Sequence, residues 1–132
     1  MFEWICYILV ISIKGGTAVD TDRLKIMARN IKTAEFQDLI TNSTVPVVVD
    51  FWAAWCAPCR AFATVIEAFS EEYNGKVIVG KVNVDEETKL AQQFNVMSIP
   101  TVLIFKGGSL VETLIGSRSL DDLAESVDKH IS

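Results

Sequence analysis

Two cysteines separated by two residues carry the clearest chemistry in this sequence of 132 residues. At Cys56 and Cys59 the spacing allows the sulfurs to close a small disulfide ring, and Pro58 between them favours the start of a helix. A cysteine at a helix N-terminus lies beside unpaired backbone N–H groups and the positive end of the helix dipole, which favour its thiolate. We therefore expect Cys56 to attack a substrate disulfide and Cys59 to resolve the mixed disulfide that forms.

The alternative chemistry for such a pair is half of a tetrahedral zinc site. Two further ligands would be needed, and the candidates are Cys6 and the single histidine, His130, near opposite ends of the chain. We therefore expect redox chemistry at the cysteine pair, with no metal and no other cofactor.

The overall composition indicates one acidic globular domain. Half of the residues are apolar, 22% are charged and the net charge is -5. In a chain of this length that apolar fraction is enough for one core without disulfide staples or metals. The negative charge argues against a surface that neutralises nucleic-acid phosphates, so no nucleic-acid partner is expected.

The N-terminal segment differs from the rest, and we divide the chain into an extension at 1–25 and a domain at 26–132. Residues 4–13 form an apolar run, WICYILVISI, that is too short to span a bilayer as a helix. Three interpretations stay open: an extra β-strand, a signal-like segment that lacks a preceding Lys or Arg, and a tail that docks on a partner or a membrane surface. Cys6 within this run is expected to be a small buried hydrophobe.

The remaining sequence alternates strand-like and helix-like segments, which is the pattern of an α/β domain. Strands are predicted at 27–31, 47–52, 76–84, 101–105 and 110–115. Helices are predicted from a cap at Thr33 to residue 40, from the cysteine pair to about 73, at 86–94, and from a cap at Ser119 onward. The strand at 47–52 is almost continuously apolar, which indicates a central strand covered on both faces, and Asp50 is its one anomaly.

The segment VDFWAAWCAPC at 49–59 resembles the active-site segment of the thioredoxin family. Three more pieces of that family's pattern follow in order: KVNVD at 81–85, SIPT at 98–101 and FKGG at 105–108. The resemblance covers the chain from about residue 26 to its end. It implies the thioredoxin fold, a central mixed β-sheet flanked by helices on both faces, and a thioredoxin-type protein-disulfide reductase.

The resemblance also implies roles for single residues. Asp50 would lie beneath the cysteines and assist proton transfer from Cys59, with Lys81 near it; desolvation should raise the pKa of this carboxyl. The alternative is an Asp that points to an opening at the sheet edge. Pro100 would be a cis-proline that faces the disulfide. The implied substrate-binding surface comprises Trp55, Ala57, Pro58, Val84, Ile99, Pro100, Ile115 and Gly116.

Three further expectations come from single positions. Trp52 is expected to pack under the active-site loop and not to bind a ligand. Ala57 replaces a glycine common in the family, and its added methyl group is expected to alter the flexibility of the turn and the redox poise modestly. Thr64 stands where many members carry a kinking proline, so the second helix should be straighter.

The partners implied are disulfide-containing proteins and a thioredoxin reductase or equivalent electron donor. The expected location of the protein is the cytoplasm. Export or membrane association through residues 1–18 stays open as the alternative.

An exported thiol oxidase or isomerase is the second candidate function. A thioredoxin-like binding subunit or co-chaperone without turnover is the third, although a docking module needs neither the cysteine pair nor Asp50.

Overall fold

The computed structural model of the protein describes residues 28–131. The apolar run at 4–13, Cys6 and the predicted boundary after residue 25 lie outside these residues. Within them, no helix is long and apolar enough to cross a membrane.

Five strands and four helices alternate along the described part of the chain. They are β1 (Arg29–Asn30), α1 (Thr33–Asn42), β2 (Val47–Trp52), α2 (Ala57–Glu72), β3 (Ile78–Asn83), α3 (Thr88–Gln93), β4 (Thr101–Lys106), β5 (Ser109–Ile115) and α4 (Leu120–Asp128). The strands form one sheet in the order β1-β3-β2-β4-β5, in which β1, β3 and β2 are parallel and β4 and β5 antiparallel to their neighbours. The predicted mixed sheet is confirmed.

The central strand β2 separates two apolar cores, because successive side chains of a strand point to opposite faces. Val47, Val49 and Phe51 pack with residues of α1 and α3. Val48 packs on the other face with residues of α2 and α4. Helices therefore cover both faces of the sheet, as predicted.

The start of α1 differs from the prediction by one residue. Thr33 is the first helical residue and Lys32 is the N-cap. The reason is a tertiary contact, since the backbone N–H and the hydroxyl of Thr33 donate to Glu87 Oε1 at 2.9 and 2.8 Å. The N-cap backbone N–H of Lys32 instead donates to the Glu35 carboxylate at 3.2 Å. By contrast, the predicted cap of α4 is confirmed, because Ser119 Oγ accepts from the Asp122 N–H at 3.1 Å.

Several element ends also differ from the predicted bounds. β1 has two residues where 27–31 was predicted, although the Ile31 N–H still donates to the Lys81 carbonyl at 2.8 Å. α3 begins two residues later than predicted because a turn follows β3. In that turn the backbone N–H groups of Glu86 and Glu87 both donate to the Asn83 carbonyl. α2 runs without interruption through Thr64.

Gly80 in β3 lies against the side chain of Ile31, the residue that directly follows β1. A Cβ at this position would overlap the Cγ1 and Cδ1 atoms of Ile31, whose side chain is buried in the core on the α1 face. An added Cβ would therefore force the buried Ile31 side chain to move, and a packed core resists such added atoms.

Replacing Gly80 by alanine is expected to lower the free energy of unfolding by about 1–3 kcal/mol, because the added methyl group overpacks the core against Ile31. Equilibrium unfolding in urea measures the change. The matched control repeats the substitution in an Ile31→Ala background, where the space is already open and Gly80→Ala should cost less. An equal cost in both backgrounds would show that Ile31 is not the obstacle.

Candidate active site at the Cys56–Cys59 disulfide

The cysteine pair forms a disulfide at the N-terminus of α2. Cys56 is the N-cap of this helix, and its Sγ accepts a hydrogen bond from the Cys59 N–H at 3.2 Å. The two Cα atoms are 5.2 Å apart. Only 5% of Cys56 and 3% of Cys59 is exposed. The predicted position of Cys56 at a helix N-terminus, where N–H groups and the helix dipole favour a thiolate, is confirmed.

The loop between β2 and α2 is fixed by hydrogen bonds to its own backbone. The Cys56 N–H donates to the Ala53 carbonyl at 3.2 Å. The Arg60 guanidinium donates to the Ala54 carbonyl at 2.8 Å through Nη1. Because Ala53 is completely buried, the loop is anchored in the core and holds the disulfide at the surface edge of the sheet.

Trp55 stands beside the disulfide with two-thirds of its surface exposed. Its ring is held by a hydrogen bond from the indole Nε1 to Asp85 Oδ2 at 2.8 Å. Asp85 in turn donates its backbone N–H to Asn83 Oδ1 at 2.9 Å. No role was predicted for Asp85 from the sequence. The available signal was its place directly after β3, because the carboxyl ends of the parallel strands β2 and β3 meet at one edge of the sheet.

Among the residues that the structure describes, Asp50 is the only charged residue that is buried, and only 1% of it is exposed. It lies two residues after Val48 in β2, so its side chain points to the same face, which α2 covers. Its Oδ1 atom is buried without a hydrogen-bond partner in residues 28–131. Burial raises the pKa of the Asp50 carboxyl from 3.8 to about 7, and attraction to Lys81 acts in the opposite direction. β2 is an interior strand, which excludes the alternative of an opening at the sheet edge.

Lys81 lies opposite Asp50 in the register of β2 and β3. Its Nζ is 5.0 Å from the centroid of the Trp52 ring, within the range of a cation–π contact. Trp52 packs against the small cluster of Ala53, Cys56 and Cys59. This contact agrees with the expected packing role of Trp52 under the active-site loop.

The loop before β4 faces the disulfide from the other side. The Ile99–Pro100 peptide bond is cis, as the resemblance implied, and the Ile99 carbonyl oxygen lies 4.0 Å from Cys56 Sγ. The Pro100 carbonyl accepts a hydrogen bond from the Gly116 N–H at 2.9 Å. The end of β5 is thereby tied to the loop that faces the cysteine pair.

In the structure, the residues of the expected substrate-binding surface fall into two groups, one on the open surface and one in a groove. Ala57 and Pro58 are exposed in the first turn of α2, and Ile115 is 63% exposed at the end of β5. A groove of about 350 Å³ has walls from three segments; its lining residues are Trp55, Val84, Val96, Met97, Ser98 and Ile99. Residues 96–98 were not among the substrate-binding residues predicted from the sequence. Their signal was adjacency to Ile99 in the segment that carries Pro100.

Within residues 28–131, no group of three or more His, Cys, Asp and Glu side chains is placed to hold a metal ion. His130, which was weighed as a zinc ligand, contacts Glu112 through Nε2 at 3.0 Å. This contact joins the chain after α4 to β5 and takes no part in the cysteine site.

Comparisons with known proteins agree with this geometry. Residues 27–129 match the family model described as Thioredoxin. Over 104 residues, or 79% of this chain, the sequence is 41% identical to thioredoxin 1 of a Nostoc species, covering 97% of that protein. It is 42% identical over 104 residues to the chloroplastic M-type thioredoxin of Spinacia oleracea, covering 58% of that protein. A solved mutant thioredoxin from Halobacterium salinarum superposes with a TM-score of 0.72 at 28% identity, covering 80% of this chain and 90% of that one.

The raised pKa of Asp50 makes the stability of the oxidised protein depend on pH. In the unfolded chain this carboxyl ionises near pH 3.8, whereas the folded protein keeps its proton up to about pH 7. Across this interval the folded state therefore binds more protons than the unfolded state. The stability that the protonated Asp50 carboxyl contributes is lost as the pH rises from about 4 to 7.

Asp50→Asn removes this titration and is expected to raise the free energy of unfolding at pH 8 by on the order of 3 kcal/mol relative to wild type. The difference should grow between pH 4 and pH 7 and then level off. Urea unfolding across that pH range measures it. Asp38→Asn, at an exposed position of α1, controls for the change in net charge. A pH-independent difference between Asp50→Asn and wild type would contradict the buried, raised-pKa carboxyl.

Proposed function

The chain belongs to the thioredoxin family, and from this premise we propose how its residues divide the work of disulfide exchange. It is a thiol–disulfide oxidoreductase, a thioredoxin-type protein-disulfide reductase, with Cys56 and Cys59 as its redox pair. The observation that carries the proposal is the disulfide at the N-terminus of α2, on the face of the sheet to which the buried Asp50 points.

We propose that the reduced protein begins the reaction with the Cys56 thiolate. This thiolate attacks one sulfur of a substrate disulfide, a new bond forms to Cys56 Sγ, and the second substrate sulfur leaves as a thiolate that takes up a proton. The N-cap position supports this order, because the Cys59 N–H points at Cys56 Sγ and would stabilise negative charge on that atom.

In the second step Cys59 resolves the mixed disulfide. The ionised Asp50 carboxylate accepts the proton of the Cys59 thiol, either directly or through water, and the resulting thiolate attacks Cys56 Sγ. The Cys56–Cys59 bond forms, and the second substrate thiolate leaves. Two electrons have then passed from the cysteine pair to the substrate. Lys81 acts on this step through Asp50, because it lowers the carboxyl pKa that burial raises.

Substrates are proposed to be disulfide-containing proteins that dock on the exposed apolar residues around the pair, with Trp55, Ile99 and Ile115 at their centre. The disulfide left at the end of each cycle must be reduced by an external dithiol, and we propose a thioredoxin reductase or an equivalent donor.

The proposed compartment is the cytoplasm, where a reducing thiol pool keeps such a pair available as a dithiol. A chloroplast is the second candidate, favoured by the similarity to the chloroplastic spinach protein. The two functions weighed against the reductase, an exported oxidase or isomerase and a docking subunit without turnover, gain no observation in their favour.

The order of the two cysteines is tested by trapping. Cys59→Ser should form a stable mixed disulfide with an oxidised protein substrate such as insulin, because no resolving thiol remains, whereas Cys56→Ser should lose turnover. Mass spectrometry of the adducts locates the substrate bond. Cys6→Ser is the control for the remaining thiol and should keep full turnover. Trapping on Cys59 in the Cys56→Ser protein would reverse the assignment.

The proton-transfer role of Asp50 predicts a pH dependence of the resolving step. Single-turnover release of the second substrate thiol should accelerate as the pH rises through about 7, since Asp50 acts as a base only when ionised. Asp50→Asn should slow this release by about 100-fold at pH 8 and remove the acceleration.

Lys81→Met should move the midpoint of that acceleration to higher pH, because it removes the attraction that lowers the Asp50 pKa. The matched control is Lys76→Met, which removes another lysine that lies over an aromatic ring, that of Tyr73, at the far end of α2. An unchanged midpoint in Lys81→Met would exclude electrostatic tuning by this lysine.

A further inference from the structure

A side chain links the loop before α2 to the first turn of that helix. Arg60 directly follows Cys59, and its Nη1 donates a hydrogen bond to the Ala54 carbonyl at 2.8 Å. We propose that Arg60 is a positioning residue, whose bond to Ala54 holds Cys56 and Cys59 together in the reduced protein and so favours closure of the disulfide. The inference rests on the proposed function, because it concerns the step in which Cys59 attacks Cys56.

The reach of Arg60 follows from its place in the helix. Side chains of an α-helix tilt towards its N-terminus, and Arg60 lies in the first turn of α2. Its backbone N–H donates to the Cys56 carbonyl at 3.1 Å, which places it one helical turn after the N-cap. The side chain therefore runs back to Ala54, a loop residue two positions before Cys56.

The other anchors of this loop do not tie it to the helix. Ala53 is completely buried, and the Trp55 indole donates to Asp85 Oδ2 at 2.8 Å. These anchors fix the loop to the core and to the turn after β3. The bond from Arg60 to Ala54 joins the loop to α2, and a bond from a charged guanidinium to a carbonyl is stronger than one between neutral groups.

The bond between Arg60 and Ala54 persists when the disulfide opens, because no sulfur takes part in it. Cys56 and Cys59 lie between Ala54 and Arg60 in the sequence, so the ring that Arg60 closes encloses the smaller ring of the disulfide. Holding two reacting groups near each other raises their effective concentration. Closure forms the Cys56–Cys59 bond and breaks the bond from Cys56 to the substrate sulfur, which leaves with the electron pair.

The positive charge of Arg60 would by itself act in the opposite direction. A cation near Cys56 stabilises its thiolate, and with it the dithiol form of the protein. Loss of that charge would therefore favour the disulfide, whereas loss of a positioning bond would favour the dithiol. The sign of the change on replacing Arg60 thus separates positioning from electrostatics.

The experiment measures the equilibrium constant for disulfide formation in glutathione buffers. It uses the full chain with Cys6→Ser, so that the pair holds the only thiols. Arg60→Met should lower the constant about 5-fold, equivalent to about 20 mV in reduction potential. Arg60→Lys should lie between Arg60→Met and wild type, because its ammonium keeps the charge and one point of donation but loses the planar fork. Single-turnover release of the second substrate thiol should slow by a similar factor in Arg60→Met.

The matched control is Arg118→Met, which removes the same charge from another exposed guanidinium that donates to a backbone carbonyl. Arg118 Nη2 donates to the Ile115 carbonyl at 3.3 Å, outside the loop before α2. This variant should keep the equilibrium constant within about 2-fold of wild type. Urea unfolding gives a second readout: Arg60→Met should destabilise the reduced protein more than the oxidised one, in which the disulfide already joins the two segments.

An equilibrium constant that rises or stays unchanged in Arg60→Met would overturn this inference, as would an equal fall in Arg118→Met or equal losses of stability in both redox forms. Each of these results leaves the proposed function intact when wild type reduces insulin disulfides. Failure of wild type to reduce insulin would overturn the proposed function, and the inference with it.

Discussion

An almost completely buried carboxylate in the middle of the central strand is the constraint on which the rest of this structure depends. Asp50 lies between apolar residues of β2, and its Oδ1 has no hydrogen bond within the described part of the chain. Removing such a group from water opposes its ionised form, which is why its pKa rises to about 7. A fold optimised for stability alone would place an apolar residue here. The proton transfer that we propose for Asp50 accounts for its position, because a carboxyl with this pKa can both take and return a proton near neutral pH.

The surrounding elements compensate for this charge only in part. Lys81 lies opposite Asp50 on β3, yet its ammonium group also contacts the Trp52 ring, so it lowers the carboxyl pKa without cancelling the effect of burial. The apolar cores on both faces of β2 supply the stability that such a site requires. Helix α2 then covers the face to which Asp50 points and carries the disulfide at its N-terminus.

The site is assembled at one edge of the sheet because four strand ends meet there. β2 and β3 are parallel and end at this edge with the loops that carry Cys56 and Asp85. β4 is antiparallel to β2 and begins there, directly after Pro100, and β5 ends there beside Gly116. The mixed topology thus brings loops distant in sequence around one pair of sulfurs. The groove of about 350 Å³ beside the disulfide is a product of this arrangement, since its walls come from the loops after β2 and β3 and from the segment before β4.

The sequence by itself determined the periodic and the local features. The apolar run at 47–52 predicted a central strand, Ser119 with Asp122 predicted a cap, and the spacing of Cys56 and Cys59 predicted a redox pair at a helix start; each depends on neighbours within a few residues. Only the tertiary structure decided which distant groups meet. Because Thr33 contacts Glu87, the N-cap of α1 lies one residue earlier than predicted. The hydrogen bond from Trp55 to Asp85 fixes one wall of the site, and residues 96–98 line the groove beside it. Such contacts join residues of different elements, and a single sequence records no distance between them.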